Sequence, residues 1–219
     1  MLMNLLGGGD IRGWLMQILL SLPIVLIALC VHETAHGFIA YKLGDPTARN
    51  LGRLTLNPAK HLDPIGFICM LLFGFGWAKP VPINTRYFKN PKRDMAISAL
   101  AGPVSNLLLA VVFALLMKLY FSFFALQIST EIQYFVYLFL LLGIRLNITL
   151  AVFNLIPIPP LDGSRILLLF LPTETYFKLM RYERYLSIGL MIALALGLLD
   201  YPIQFVSNLF MQLINNLIF

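Results

Sequence analysis

Charge is scarce in this chain: Asp and Glu number 10 and Lys and Arg 16 in 219 residues, 12% of the whole. Soluble domains carry about 25% charged residues, so the sequence does not describe a solvated globule. Cysteine is almost missing, and Cys30 and Cys69 both fall in apolar runs. That excludes a disulfide framework and leaves them as small buried hydrophobes. No unit repeats, and no Gly/Ser-rich or charged stretch of the kind that separates domains interrupts the chain. Histidine occurs only three times, and two of the three lie four residues apart.

What fills the chain is apolar surface, at 59% hydrophobic residues. This composition places most of it in lipid as one integral membrane domain, 1–219. Asp10 and Arg12 precede an apolar run that continues well past residue 30, so no removable signal peptide is expected and the first helix is retained. Apolar stretches at 11–43, 94–120, 131–157 and 185–199 read as spans. The run 65–78 is short and suits a re-entrant segment. Residues 202–219 carry Gln204, Asn208, Gln212 and Asn215 at helical spacing, a polar stripe that packs inward or lies at the interface. Arg145 and Asn147 are polar within a span, so both are expected to face the bundle.

The net charge of +6 does not point to nucleic acid, because 13 of the 16 basic residues gather in three neighbourhoods. These are Lys42 to Lys60, Lys79 to Arg93, and Arg165 to Arg184. Under the positive-inside rule all three lie on the cytoplasmic side of the cell membrane, with the amino terminus outside. Gly52 to Pro58 alternates like a strand, and residues 78–84 are extended with prolines at 80 and 82 that admit only an edge strand. The expected architecture is all-α and polytopic: about five to six transmembrane helices, a short re-entrant segment and a small membrane-associated β-hairpin or edge strand.

The scarce histidines carry the chemistry. His32-Glu33-Thr34-Ala35-His36 places two imidazoles on one helix face with a carboxylate beside them. That is two ligands for a metal ion, zinc by motif, and a base for the water at its open position. On a soluble helix the same residues could be merely solvated, but here an apolar run leads straight into them, and ionisable groups at such depth are functional by default. A second constellation is Asn154-Leu155-Ile156-Pro157-Ile158-Pro159-Pro160-Leu161-Asp162-Gly163. Its prolines end the helix and hold the chain extended. By residue type alone, Asp162 is simply the cap of a following helix.

Together, in this order and separated by membrane spans, the two motifs resemble the site-2 protease family of intramembrane zinc metalloproteases. The likeness extends to Ala101-Gly102-Pro103-Val104-Ser105-Asn106 and to residues 79–84, and so covers about residues 20–170, with C-terminal helices at 174–219 beyond it. The chain is similar to the small branch without PDZ or CBS domains. The resemblance implies one zinc per chain held by His32, His36 and Asp162, with Glu33 as general base and Asn154 as a candidate oxyanion donor. A transmembrane protein substrate has to unwind to be cut, and the edge at Lys79, Pro80, Val81 and Pro82 is the candidate that aligns it by strand addition. Regulated intramembrane proteolysis is the expected function. Competing readings are an ion-coupled transporter using the His/Glu/Asp cluster as a relay, and an inactive membrane scaffold. His61 and Asp63 are ligands by type, but their spacing suits capping and support.

Overall fold

The computed structural model describes residues 11–73, 76–124 and 130–219. Asp10 and the expected outer amino terminus lie outside the described residues, as do positions 74–75 of the expected re-entrant run. Helix α1 spans Ile11–Lys42 and stays helical through Pro23. At 1.5 Å per residue its 32 residues reach about 48 Å, so it overshoots a hydrocarbon core of about 30 Å. A loop follows, with one short helical turn at Thr47–Asn50. Helix α2, Pro64–Phe73, has only 10 residues and is too short to cross.

Helix α3, Pro91–Phe124, carries Pro103 within it, and helix α4, Glu131–Asn154, opens on a capping box in which Thr130 and Gln133 satisfy each other's backbone N–H. The proline-rich turn then leads into α5, Asp162–Ile166, and the amphipathic α6, Thr173–Arg181. Helices α7, Glu183–Ala195, and α8, Asp200–Ile218, meet at an 81° bend.

Among the described residues, α1 from Ile18, α3 and α4 are each long and apolar enough to cross a membrane, and α7 with α8 makes a fourth only if the bent pair is one span. The expected five to six spans therefore reduce to three or four. The reason lies in the lengths: α2 and α7 are apolar, but at 10 and 13 residues each falls short of the 17 or so that a span needs.

The expected hairpin does not form. No strand occurs among the described residues; one isolated antiparallel bridge, Leu62 to Ala78, lies just beyond the first candidate segment, and the two segments are joined by a side chain, Arg53, rather than by a ladder. Pro80 and Pro82 have no N–H to give a ladder. The neighbouring amides go to side chains instead: Val81 N–H donates to Glu33 Oε2 at 2.8 Å and Asn84 N–H to Asp45 Oδ2 at 2.7 Å.

The core sits where α3, α4 and α8 meet. Ala110, Phe113, Ala114 and Met117 of α3 pack with Ile144, Ile148 and Val152 of α4 and with Ile214 and Ile218 of α8. The last helix thus turns an apolar face inward, and Lys118 Nζ closes its end by donating to the Ile218 carbonyl. Asn147 is fully buried, as expected, but Arg145 is exposed on the outer face of α4. Two positions along a helix separate the two side chains by about 200°, so they cannot share one face.

Candidate metal centre

His32 and His36 lie one turn apart on α1, their Nε2 atoms 3.0 Å from each other and their rings nearly perpendicular. Each ring is held from behind. His32 Nδ1 is 2.6 Å from Asn106 Oδ1, and His36 Nδ1 is 2.7 Å from the Ser98 carbonyl, both on α3. A carbonyl oxygen can only accept, so each Nδ1 carries the proton and each Nε2 points a lone pair into the site.

Asn106 is itself oriented, since its Nδ2 donates to Asn147 Oδ1 at 3.0 Å and Asn147 Nδ2 donates to the Gly143 carbonyl. This relay of buried amides ties α3 to α4 behind the first histidine. Gly102 makes the approach of α3 possible. A Cβ there would lie 2.3 Å from His36 Nε2 and 2.6 Å from His32 Cε1, well inside contact distance.

Asp162 comes from the other side of the bundle. The chain leaves α4 through its proline turn, and Gly163 lets that turn fold back so tightly that an added Cβ would meet the Leu155 carbonyl at 2.3 Å. The result puts Asp162 Oδ2 3.2 Å from both imidazole Nε2 atoms.

Three electron-pair donors therefore converge, with Oδ2 buried and lacking a hydrogen-bond partner. With both protons on the Nδ1 atoms, nothing bridges them, and such a cluster suits a cation. Tetrahedral zinc with bonds near 2.05 Å separates its ligand atoms by about 3.3 Å. The observed triangle of 3.0, 3.2 and 3.2 Å is close to that. The donor set of two neutral imidazoles and one carboxylate fits zinc and leaves a fourth position free.

The remaining candidate residues surround this centre. Glu33 accepts from the Val81 amide, as noted above, so residues 79–84 lie across the mouth of the site. Buried Arg53 pins that segment from behind, its Nη2 donating to the Lys79 and Pro80 carbonyls at 2.7 and 3.2 Å. His61 is not brought to the metal group. Its Nε2 donates to the Thr55 carbonyl at 2.7 Å and its own carbonyl accepts from Lys79 N–H at 2.8 Å. Asp63 accepts from Gly66 N–H and caps α2. Asn154 lines the cleft with one amide hydrogen committed to the Leu150 carbonyl at 2.9 Å.

The cleft has a volume of about 440 Å³, and its far wall is α7, through Ser187, Leu190, Met191 and Leu194. Sequence reasoning missed that wall, because an apolar helix face gives no sign of what it covers. It also missed the carbonyl of Ser98, which any residue could supply. The amide relay did leave a signal: Asn106 and Asn147 are costly in apolar spans unless paired.

The chain is similar to several proteins named as zinc metalloproteases. "Putative zinc metalloprotease YwhC" of Bacillus subtilis is 44% identical over 164 residues, covering 74% of this chain and 73% of the relative. "Putative zinc metalloprotease Rip2" of Mycolicibacterium smegmatis is 33% identical over 159 residues, which is 70% of this chain but only 53% of Rip2, so the chain spans about half of that relative. A "Putative zinc metalloprotease" of Methanocaldococcus jannaschii is 33% identical over 150 residues, covering 67% of this chain and 73% of that one. No solved structure matches. Residues 20–199 match the profile of Peptidase family M50, and with the helices and donor cluster already described, the chain belongs to that family, the site-2 proteases.

Proposed function

We propose that this protein is a zinc endopeptidase that hydrolyses peptide bonds in or beside the membrane-spanning segments of other proteins, with one zinc held by His32, His36 and Asp162. The observation that carries the reading is the convergence of two imidazole lone pairs and one unpaired carboxylate oxygen beside a second carboxylate, Glu33, at the base of a cleft. Zinc in such a site supplies a Lewis acid that polarises a carbonyl and makes water acidic near neutral pH.

The residues do the rest. Glu33 takes a proton from the attacking water on its carboxylate and returns it to the departing amine. Asn106 and Ser98 keep both imidazoles in the tautomer that offers Nε2. Asn154 has a second amide hydrogen, and this donates to the scissile carbonyl oxygen as negative charge develops there. A substrate helix hides its carbonyls in its own hydrogen bonds, so it unwinds and lies extended along Lys79, Pro80, Val81 and Pro82. The positive-inside rule supports a mouth on the cytoplasmic face of the cell membrane, with the amino terminus outside and the run 65–78 re-entrant. Partners are then membrane-protein substrates and lipid, and the fitting role is regulated intramembrane proteolysis.

The test uses purified protein in vesicles with a single-span model substrate. Wild type and Glu33→Gln are expected to carry one zinc per chain, and only wild type to cut. Cutting by Glu33→Gln at the wild-type rate, or absence of zinc from both, overturns the reading.

A further inference from the structure

The cleft holds one charged side chain that neither the metal nor the base accounts for. Arg165 lies three residues after Asp162 on α5, so the two share a helix face, and both line the cleft. Its guanidinium is half-buried and makes no ion pair or side-chain hydrogen bond among the described residues. Three other cations on this side of the protein have partners, Arg53 in the Lys79 and Pro80 carbonyls, Lys92 in the Leu171 carbonyl and Arg93 in Asp94, and none of the three lines the cleft. The acids of the cleft are also committed, Glu33 to the Val81 amide and Asp162 to the imidazoles. Leu29, Ala99, Leu150, Phe153 and Leu190 supply apolar walls. A guanidinium in such surroundings is costly without an acceptor, and its planar fork matches a carboxylate with two parallel hydrogen bonds.

We propose that Arg165 forms a carboxylate-binding subsite in the cleft, so that this enzyme selects substrates with an acidic group at a fixed distance from the scissile bond. The inference rests on the protease reading above and adds a specificity to it. The carboxylate has two possible sources, an Asp or Glu side chain flanking the cut and the free carboxyl terminus of a trimmed chain. Both present the same two oxygens to the guanidinium.

A peptide library in detergent separates them. Holoenzyme is given apolar peptides with Asp or Glu, against Asn or Gln, scanned through the positions around the cut, each with a free and an amidated carboxyl terminus. Wild type is expected to favour an acid over its amide at one position by about tenfold or more in kcat/KM, the scale of a charge-assisted pair. A preference confined to free-carboxyl peptides assigns the subsite to the terminus. Preference at an internal position, whatever the terminus, assigns it to a side chain. In Arg165→Gln the ratio falls to about one. In Arg165→Glu it inverts, and Lys is favoured at the same position.

Cleavage without acid discrimination anywhere overturns the subsite and leaves the protease standing. Discrimination that survives in Arg165→Gln does the same. A ratio of one, with rates that instead track the anionic lipid added to the micelles, reassigns Arg165 to a lipid phosphate. If holoenzyme cuts no peptide and no membrane substrate, both readings fall together.

Discussion

The Val81 backbone N–H donates to Glu33 Oε2 across 2.8 Å, joining the segment suited to align a substrate directly to the carboxylate suited to act as base. Alignment and proton transfer are therefore not separate parts of the cleft. On the proposed function, a substrate strand that took the Val81 amide for itself would release Glu33 as a scissile bond arrived.

Val81→Pro removes this donor and Val81→Ala keeps it. Val81→Pro is expected to hold its zinc but to spread its cuts over more positions of a model substrate, while Val81→Ala keeps the wild-type choice. Mass spectrometry of the products reads both. The same cut pattern in all three proteins would remove the segment from substrate alignment.

Metal content distinguishes Asp162 from the two other residues that are ligands by type. Asp162→Ala is expected to lose most of its zinc, since it deletes one of three donors. His61→Ala and Asp63→Ala should keep theirs, because His61 is spent on the Thr55 carbonyl and Asp63 on the Gly66 amide. The reverse pattern in elemental analysis would refute the assignment.

The buried amide relay predicts a graded loss. Asn106→Ala frees His32 Nδ1 and should weaken zinc binding about 10- to 100-fold, the usual cost of losing a group that orients a ligand. Asn147→Ala leaves the His32 contact and only loosens Asn106, so a smaller loss is expected. Competition with a graded chelator measures both, and equal affinities across the series would show that the relay does not act on the metal.

Gly102→Ala tests the close approach of α3. The new methyl would sit 2.3 Å from His36 Nε2, and neither helix can retreat without breaking the contacts of His32 and His36 with Asn106 and Ser98. Zinc should be lost from a protein that still inserts in the membrane, as judged by protease protection of its loops. Full zinc occupancy would mean that α3 is looser than the geometry implies.

The readable parts of this protein were those in which sequence spacing and spatial contact coincide. His32 and His36 meet because a helix returns to the same face after four residues, and no tertiary knowledge is required for that. Asp162 is 130 positions away from His32, and residue type alone made it a helix cap; only the resemblance carried by its proline-rich setting placed it beside the histidines. The strand expected at 78–84 failed for a reason visible only in three dimensions, since its free amides find Glu33 and Asp45 before they find a partner strand. Counting spans overshot because hydropathy does not reveal how short α2 and α7 are, or that α7 and α8 bend by 81° and make one span at most. Arg165 was read as one cytoplasmic charge among several, because charge clustering records which side of a membrane a residue favours but not which cavity it enters.

The peptide unit between Pro80 and Val81 is gripped at both ends, its carbonyl by Arg53 and its amide by Glu33. An extended stretch of the enzyme's own chain thus rests on the base in the posture expected of a guest. It is turned the wrong way for reaction: the base meets an N–H that it can only accept from, while the carbonyl that water would attack faces a cation behind the segment. On the proposed function, this facing would keep the protein from cutting its own segment. The protection would then come from the facing of a single peptide plane, since the segment lines the site directly.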